Sequence, residues 1–187
     1  MKKILFVTLI FLLVILCGCK RENSEEAFDE PPVLMIANGQ SESEAKMFGY
    51  TWETKAMNGK STLKIADVTD QFDDVESLPV ISIRPTYVST INPMNAYLMF
   101  DIIPDNVTVR CWDSKTHNED SAEVEILDAH LEDGTYYPDI ILKLKNKNCI
   151  YEVTAEWNNY EIFSGKATYY FRTDGEIINY VNAIVIE

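Results

Sequence analysis

The chain has 187 residues, a quarter of them charged, with 30 Asp and Glu against 16 Lys and Arg and a net charge of −14. So acidic a balance argues against a protein built to grip phosphate backbones, which needs clustered Lys and Arg, and nucleic acid is not an expected partner. Its seven glycines form no phosphate-cradling loop or Gly-x-Ser-x-Gly elbow, and its two histidines form no His-Glu-x-x-His.

In chain order the first element is Met1-Lys2-Lys3, an apolar run from Ile4 to Leu16 broken by Thr8, and then Cys17-Gly18-Cys19-Lys20-Arg21. A charged start, a short apolar core and a small residue before a cut are the parts of a secretory signal. The run is short of the ~20 residues that span a bilayer as a helix. Leu16, Gly18 and Cys19 resemble the lipobox of bacterial lipoproteins, with Cys19 as acceptor. Cys17 departs from it, since that position is more often Ala or Ser. The resemblance implies removal of residues 1–18 as a signal peptide and a diacylglyceryl group on the Cys19 thiol. Two acyl chains hold a protein durably where one does not, so the expected address is the outer face of the bacterial cell membrane.

Removing residues 1–18 takes away Lys2 and Lys3 and no acid, leaving 14 basic residues against 30 acidic and a net charge of −16. Residues 19–32 comprise Cys19 and a polar, acid-rich stretch ending in Pro31-Pro32, which reads as a flexible tether. Residues 33–187 are expected to fold as the extracytoplasmic domain.

From Val33 onward short apolar or alternating runs are separated by turn chemistry. Asn38-Gly39 and Asn58-Gly59 are hairpin signals, because tight hairpin turns need positive φ. The predicted strands are Val33–Ala37, Glu42–Glu53, Thr62–Asp67, Val80–Arg84, Ala96–Ile102, Val107–Trp112, Ala122–Leu127, Ile140–Lys145, Cys149–Trp157, Ala167–Arg172 and Ile178–Ile186. So many short strands favour an all-β, immunoglobulin-like β-sandwich, as one or two small sandwich subdomains. Within Ser121–Leu131, Ile126, Leu127 and Leu131 would also suit a short helix.

Successive strand side chains alternate between faces. Phe48, Tyr50 and Trp52 are thereby expected on one face, and Cys149, Tyr151, Val153, Ala155 and Trp157 together on a core face opposite Glu152, Thr154 and Glu156. Trp52 and Trp157 are read as core packing. Trp112 has the opposite parity to Val107, Val109 and Cys111 and is the candidate ligand-facing aromatic. Cys111 and Cys149 both fall on apolar faces. A disulfide closing a loop of about 37 residues, and tying the two sheets of a sandwich, fits this pattern, as does a pair of buried free thiols.

Signatures of chemistry are sparse. His117 and His130 lack metal-ligand spacing, and no cofactor is expected. Asp70, Asp73, Asp74 and Glu76 are the densest acidic stretch and a weak calcium candidate, without the Asp-x-Asp-x-Asp-Gly order of an EF-hand loop. Ser43 with Lys46, and Ser61 with Lys64, match Ser-x-x-Lys but lack the companion elements of penicillin-binding enzymes. Acids are too plentiful for a glycosidase pair to be singled out.

Pro31-Pro32-Val33-Leu34, Gly49-Tyr50-Thr51-Trp52, Ala66-Asp67, Ile103 to Val109 ending in Cys111-Trp112, Tyr151 to Trp157, and Gly165 to Phe171 together resemble a family of lipoproteins of low-GC Gram-positive bacteria. That family is related to the extracytoplasmic C-terminal segments of membrane metallopeptidases of the β-lactam-sensor type. The resemblance implies an accessory or sensory module outside the membrane; no proteolytic activity carries over, since the zinc motif is absent. The expected function is a non-enzymatic module binding a protein or cell-envelope ligand. One alternative is a carbohydrate-binding envelope module with Trp112, Tyr136, Tyr137 and Tyr160 as platform; another is an envelope hydrolase using carboxylates.

Overall fold

A computed structural model describes residues 29–56, 58–67, 75–83, 94–116, 125–127, 129–132 and 139–175. Twelve strands are described: β1 (Leu34–Ala37), β2 (Glu42–Glu44), β3 (Lys46–Lys55), β4 (Ser61–Asp67), β5 (Val80–Ser82), β6 (Asn95–Phe100), β7 (Asn106–Asp113), β8 (Glu125–Leu127), β9 (Ala129–Glu132), β10 (Asp139–Lys143), β11 (Cys149–Trp157) and β12 (Phe163–Asp174). They form an antiparallel five-stranded sheet, in the order β2-β1-β6-β10-β9, and a seven-stranded sheet, β4-β3-β12-β11-β7-β8, with β5 added parallel to the end of β12. The expected all-β sandwich is therefore present, and strands of both sheets share one core cluster.

The expected run Glu42–Glu53 is divided at Ala45, where the chain passes from one sheet to the other. The Ala45 N–H donates to the Leu34 carbonyl at 2.8 Å and its side chain is buried. The stretch that would also suit a short helix contains instead two strands in different sheets, β8 and β9. A helix would have packed Ile126 with Leu127, whereas Ile126 is 74% exposed on its strand. The predicted strand Ile178–Ile186 lies outside the described residues.

Both Asn-Gly pairs sit in hairpins, with φ of 77° at Gly39 and 76° at Gly59. The connections are longer than a two-residue turn, spanning Asn38–Ser41 and Ala56–Lys60. Asn38 is fully buried. Its Oδ1 accepts the N–H groups of Gln40 and Ser41, and its Nδ2 donates to the Ser82 carbonyl at 2.7 Å, tying the first hairpin to β5.

The core lies between Leu34, Ile36, Ala96, Leu98, Ile140 and Leu142 of the smaller sheet and an aromatic layer on the larger. Trp52 packs edge-on to Trp157 at 5.5 Å and stacks on Phe163 at 5.1 Å. Both tryptophans are fully buried, and the indole N–H of Trp157 donates to the Ile102 carbonyl at 3.0 Å. Buried Tyr and Trp carry a polar group that needs such a partner.

The proline pair that the sequence reads as the end of a tether is packed. Pro31 and Pro32 are already buried, and the Tyr169 hydroxyl on β12 donates to the Pro32 carbonyl. The proline pair is packed apolar surface at the start of the sandwich.

Candidate functional site

The outer face of the larger sheet carries a row of side chains that strand register places side by side. Glu152 on β11 stands directly opposite Tyr170 on β12 and Arg110 on β7; Arg110 in turn stands opposite Ile126 on β8. Directly opposed residues on one face are close enough to interact. Arg110 Nη1 donates to Glu152 Oε1 at 3.0 Å, and the Tyr170 hydroxyl donates to Glu152 Oε2. The Glu152 side chain is only 12% exposed, against 48% for Arg110, so the carboxylate is held from both sides and the guanidinium faces outward. Burial, then the neighbouring carboxylate, pushes the Tyr170 hydroxyl above the ordinary phenol range.

The row continues to Phe48, whose ring meets that of Tyr170 edge-on at 4.9 Å. Alternation predicts Phe48 on the face of Tyr50 and Trp52. A register shift moves it: Gly49 pairs with Thr168 and Met47 with Tyr169, leaving Phe48 as the extra residue of a β-bulge. A bulge re-aims one side chain, here against outward-facing Tyr170. Lys46 Nζ lies 5.1 Å from the centre of the Phe48 ring. At the far end the Arg110 guanidinium lies 5.8 Å from the ring of Trp112, which is half-buried. One line of side chains thus runs Phe48, Tyr170, Glu152, Arg110, Trp112, offering ring faces at both ends and a charged, hydrogen-bonding centre. Beside it Thr168, Thr154 and Thr108 form a parallel row of hydroxyls, each opposite the next.

The aromatic platform expected from sequence is arranged differently. Trp112 is opposite Ile150 and Tyr160 follows Trp157 at the other end of β11; Ile150 and Trp157 are about 23 Å apart along a strand rising ~3.3 Å per residue. Tyr160 stacks on Phe163 at 4.4 Å and donates its hydroxyl to the Ile103 carbonyl at 2.7 Å, the role of a packing residue. Tyr136 and Tyr137 lie outside the described residues.

Cys111 and Cys149 are buried free thiols on the inner side of the same sheet. Cys111 stands opposite Tyr151 and Cys149 opposite Asp113, so the two cysteines are diagonal neighbours on adjacent strands. A bond between them would not tie the two sheets together. The neighbouring Cys149 sulfur, followed by burial, raises the Cys111 thiol. Around them, Thr173 Oγ1 accepts the Cys149 N–H at 3.1 Å and donates to the Lys147 carbonyl at 3.0 Å. Tyr151 Oη accepts the Lys145 N–H at 2.8 Å. Lys147 pairs with Asp113 at 3.2 Å.

Asp70, Asp73 and Asp74 lie outside the described residues. Glu76, in a single 3-10 turn, accepts from Arg172 Nη2 at 2.8 Å, and no cluster of three metal-ligating side chains occurs among the described residues. His117 is not among them; His130 belongs to β9. Ser61 and Lys64 both lie on β4, where odd spacing puts them on opposite faces. Ser43 and Lys46 fall on strands of different sheets. Cys19 and the whole signal segment lie outside the described residues, and no helix among those described is long and apolar enough to cross a membrane.

The outer-face row was hidden by two things the chain does not spell out, strand pairing and the bulge at Phe48. The shared parity of Arg110 with Trp112 was the one signal available. No family model, curated protein or solved structure matches the chain.

Proposed function

We propose that this chain is a lipid-anchored extracytoplasmic lipoprotein whose β-sandwich is a non-enzymatic binding module, presenting the outer face of its larger sheet to a protein or cell-envelope ligand. The observation that carries the reading is the Phe48-Tyr170-Glu152-Arg110-Trp112 row. Aromatic and Arg side chains are the ones most enriched at binding hot spots, and here an ion pair with the largely buried Glu152 carboxylate holds the Arg in place. The Cys19 lipobox and the acid-rich tether support the location. Glu152, locked between a guanidinium and a phenol, is placed to orient its neighbours rather than to pass a proton to a substrate.

The test is crosslinking in living cells with the wild-type chain and an Arg110→Ala/Trp112→Ala variant of equal abundance and stability. Loss of crosslinked partners in the variant is the expected result; identical partners in both would reject this face as the binding surface. Replacing Cys19 by Ala should release the protein to the medium or leave an unprocessed precursor. A cleaved form still held in the membrane would reject the anchor.

A carbohydrate ligand is a second reading, favoured by the half-buried Trp112 ring beside a guanidinium and a carboxylate. Rings stack on sugar faces while planar polar groups meet hydroxyls. Binding of envelope polysaccharide that disappears in Trp112→Ala would select it over a protein ligand.

A further inference from the structure

The two thiols beneath the outer-face row are placed for a reaction of their own. Cys111 and Cys149 are 3% and 0% exposed and lie on neighbouring antiparallel strands, side by side on the inner face. Of the four cysteines in the chain these are the two in the described domain. We propose that Cys111 and Cys149 form an oxidation site that a small peroxide-class oxidant converts into an intrachain disulfide, with Cys149 attacking first and Cys111 resolving.

The geometry sets the order. Cys149 is the first residue of β11 and faces Asp113, the last of β7, so it lies where local opening of a strand pair is easiest. Its register partner Asp113 is paired with Lys147, while Cys111 lies two residues further in from the end of β7, opposite Glu125 on β8. The thiolate is the reactive form, so the sulfur that opening of the strand end uncovers first is the nucleophile. In the first step the Cys149 thiolate attacks one peroxide oxygen. The O–O bond breaks, hydroxide leaves, and Cys149 becomes a sulfenic acid. In the second, Cys111 sulfur attacks the Cys149 sulfur, the S–O bond breaks, and the thiol proton leaves with the departing hydroxide as water. Two thiols and one peroxide give one disulfide and two waters; the thiols lose two electrons and the peroxide gains them.

Diagonal strand neighbours have Cα atoms about 7–8 Å apart, whereas disulfides span about 4.4–6.8 Å. Closing the bond therefore shortens the Cys111–Cys149 Cα separation by about 1 Å, shearing β7 against β11 at this end. Arg110 and Trp112 flank Cys111 in sequence and point to the other face, so the closure is transmitted to the outer row. The oxidation chemistry itself does not depend on the proposed ligand.

Peptide mapping tests it on the full-length protein extracted in mild detergent. Trypsin cleaves after Arg110, Lys115, Lys147 and Lys166, isolating Cys111 in 111–115 and Cys149 in 148–166. Treatment with hydrogen peroxide followed by alkylation is expected to convert these peptides into one crosslinked species, lighter than their sum by two hydrogens and separated again by a dithiol reductant. In Cys111→Ser, a sulfenic-acid trap should label Cys149; in Cys149→Ser, Cys111 should be labelled at least tenfold more slowly. Peroxide treatment that leaves both thiols open to alkylation after unfolding, or that crosslinks either to another cysteine instead, overturns the site. Equal labelling in the two variants overturns the order. The wild-type mapping stands by itself if either variant fails to fold.

Discussion

Gly165 stands directly opposite Trp52, and the absence of its side chain is what lets the indole lie flat on the sheet. A Cβ at Gly165 would sit 2.5 Å from Trp52 Cε3 and 2.3 Å from the Thr51 carbonyl oxygen. One of these is backbone, so relief requires the β3–β12 pair to move. Overpacking of this kind costs about 1–3 kcal/mol. Gly165→Ala should lower the unfolding free energy by that amount, seen as a lower urea midpoint at unchanged slope; a midpoint equal to wild type would mean the strands separate freely there.

Tyr151→Phe should destabilise the fold by about 1–3 kcal/mol, because it removes the acceptor of the Lys145 N–H and leaves that donor unsatisfied. Tyr151 is fully buried and stacked on Phe171 at 4.7 Å, so the ring itself stays packed in the variant. Thermal unfolding checks the loss, and faster exchange of the Lys145 amide proton locates it.

A double-mutant cycle on Arg110 and Glu152 should return a coupling of about 0.5–1 kcal/mol. The pair is charged and close, but Arg110 is half in solvent, where screening reduces its value. Glu152→Gln alone should cost less than Glu152→Ala, since the amide oxygen still accepts from one neighbour. A coupling that survives high salt undiminished would contradict the exposed geometry.

Stability should fall at both ends of the pH scale for different reasons. Asp105 is held below the ordinary carboxylate range by the Asn158 N–H foremost, with further bonds from Asn159, and Asp113 by the Lys115 N–H foremost and then Lys147. A depressed folded pKa gives stability that is present above the unfolded value near ~3.9 and lost as pH falls through the folded value. Burial raises the hydroxyls of Tyr151, Tyr169 and Tyr170. Their contribution is complete below the unfolded phenol value near ~10 and drains away as pH rises above it. Denaturation midpoints should therefore drop below about pH 4 and above about pH 10, with phenolate absorbance appearing together with unfolding in the alkaline limb.

Much of the fold was legible because alternation is a local property. The inward set Cys149, Tyr151, Val153, Ala155 and Trp157, with Glu152, Thr154 and Glu156 behind it, reads directly off β11 and matches its burial. Sheet membership is set by distant partners and was not legible: nothing around Ala45 announces that β2 and β3 belong to different sheets, and nothing in Ile126-Leu127-Asp128-Ala129 announces the crossing between β8 and β9. The same limit hid the candidate site. Glu152 reads as one more outward acid until register sets it between Arg110 and Tyr170, and Phe48 reads as core until one extra residue turns it outward.

The buried proline pair has a mechanical meaning. In the proposed lipid-anchored form, movement of a bound ligand would become a pull on the chain ahead of Asp29. That pull meets Pro31 and Pro32 first, packed into the sandwich and latched to Tyr169. Because Tyr169 belongs to the seven-stranded sheet and the chain continues from Pro32 into β1 of the other, the load divides between both layers. The sandwich should bear tension as one body, where a tether joined to β1 alone would peel that strand away.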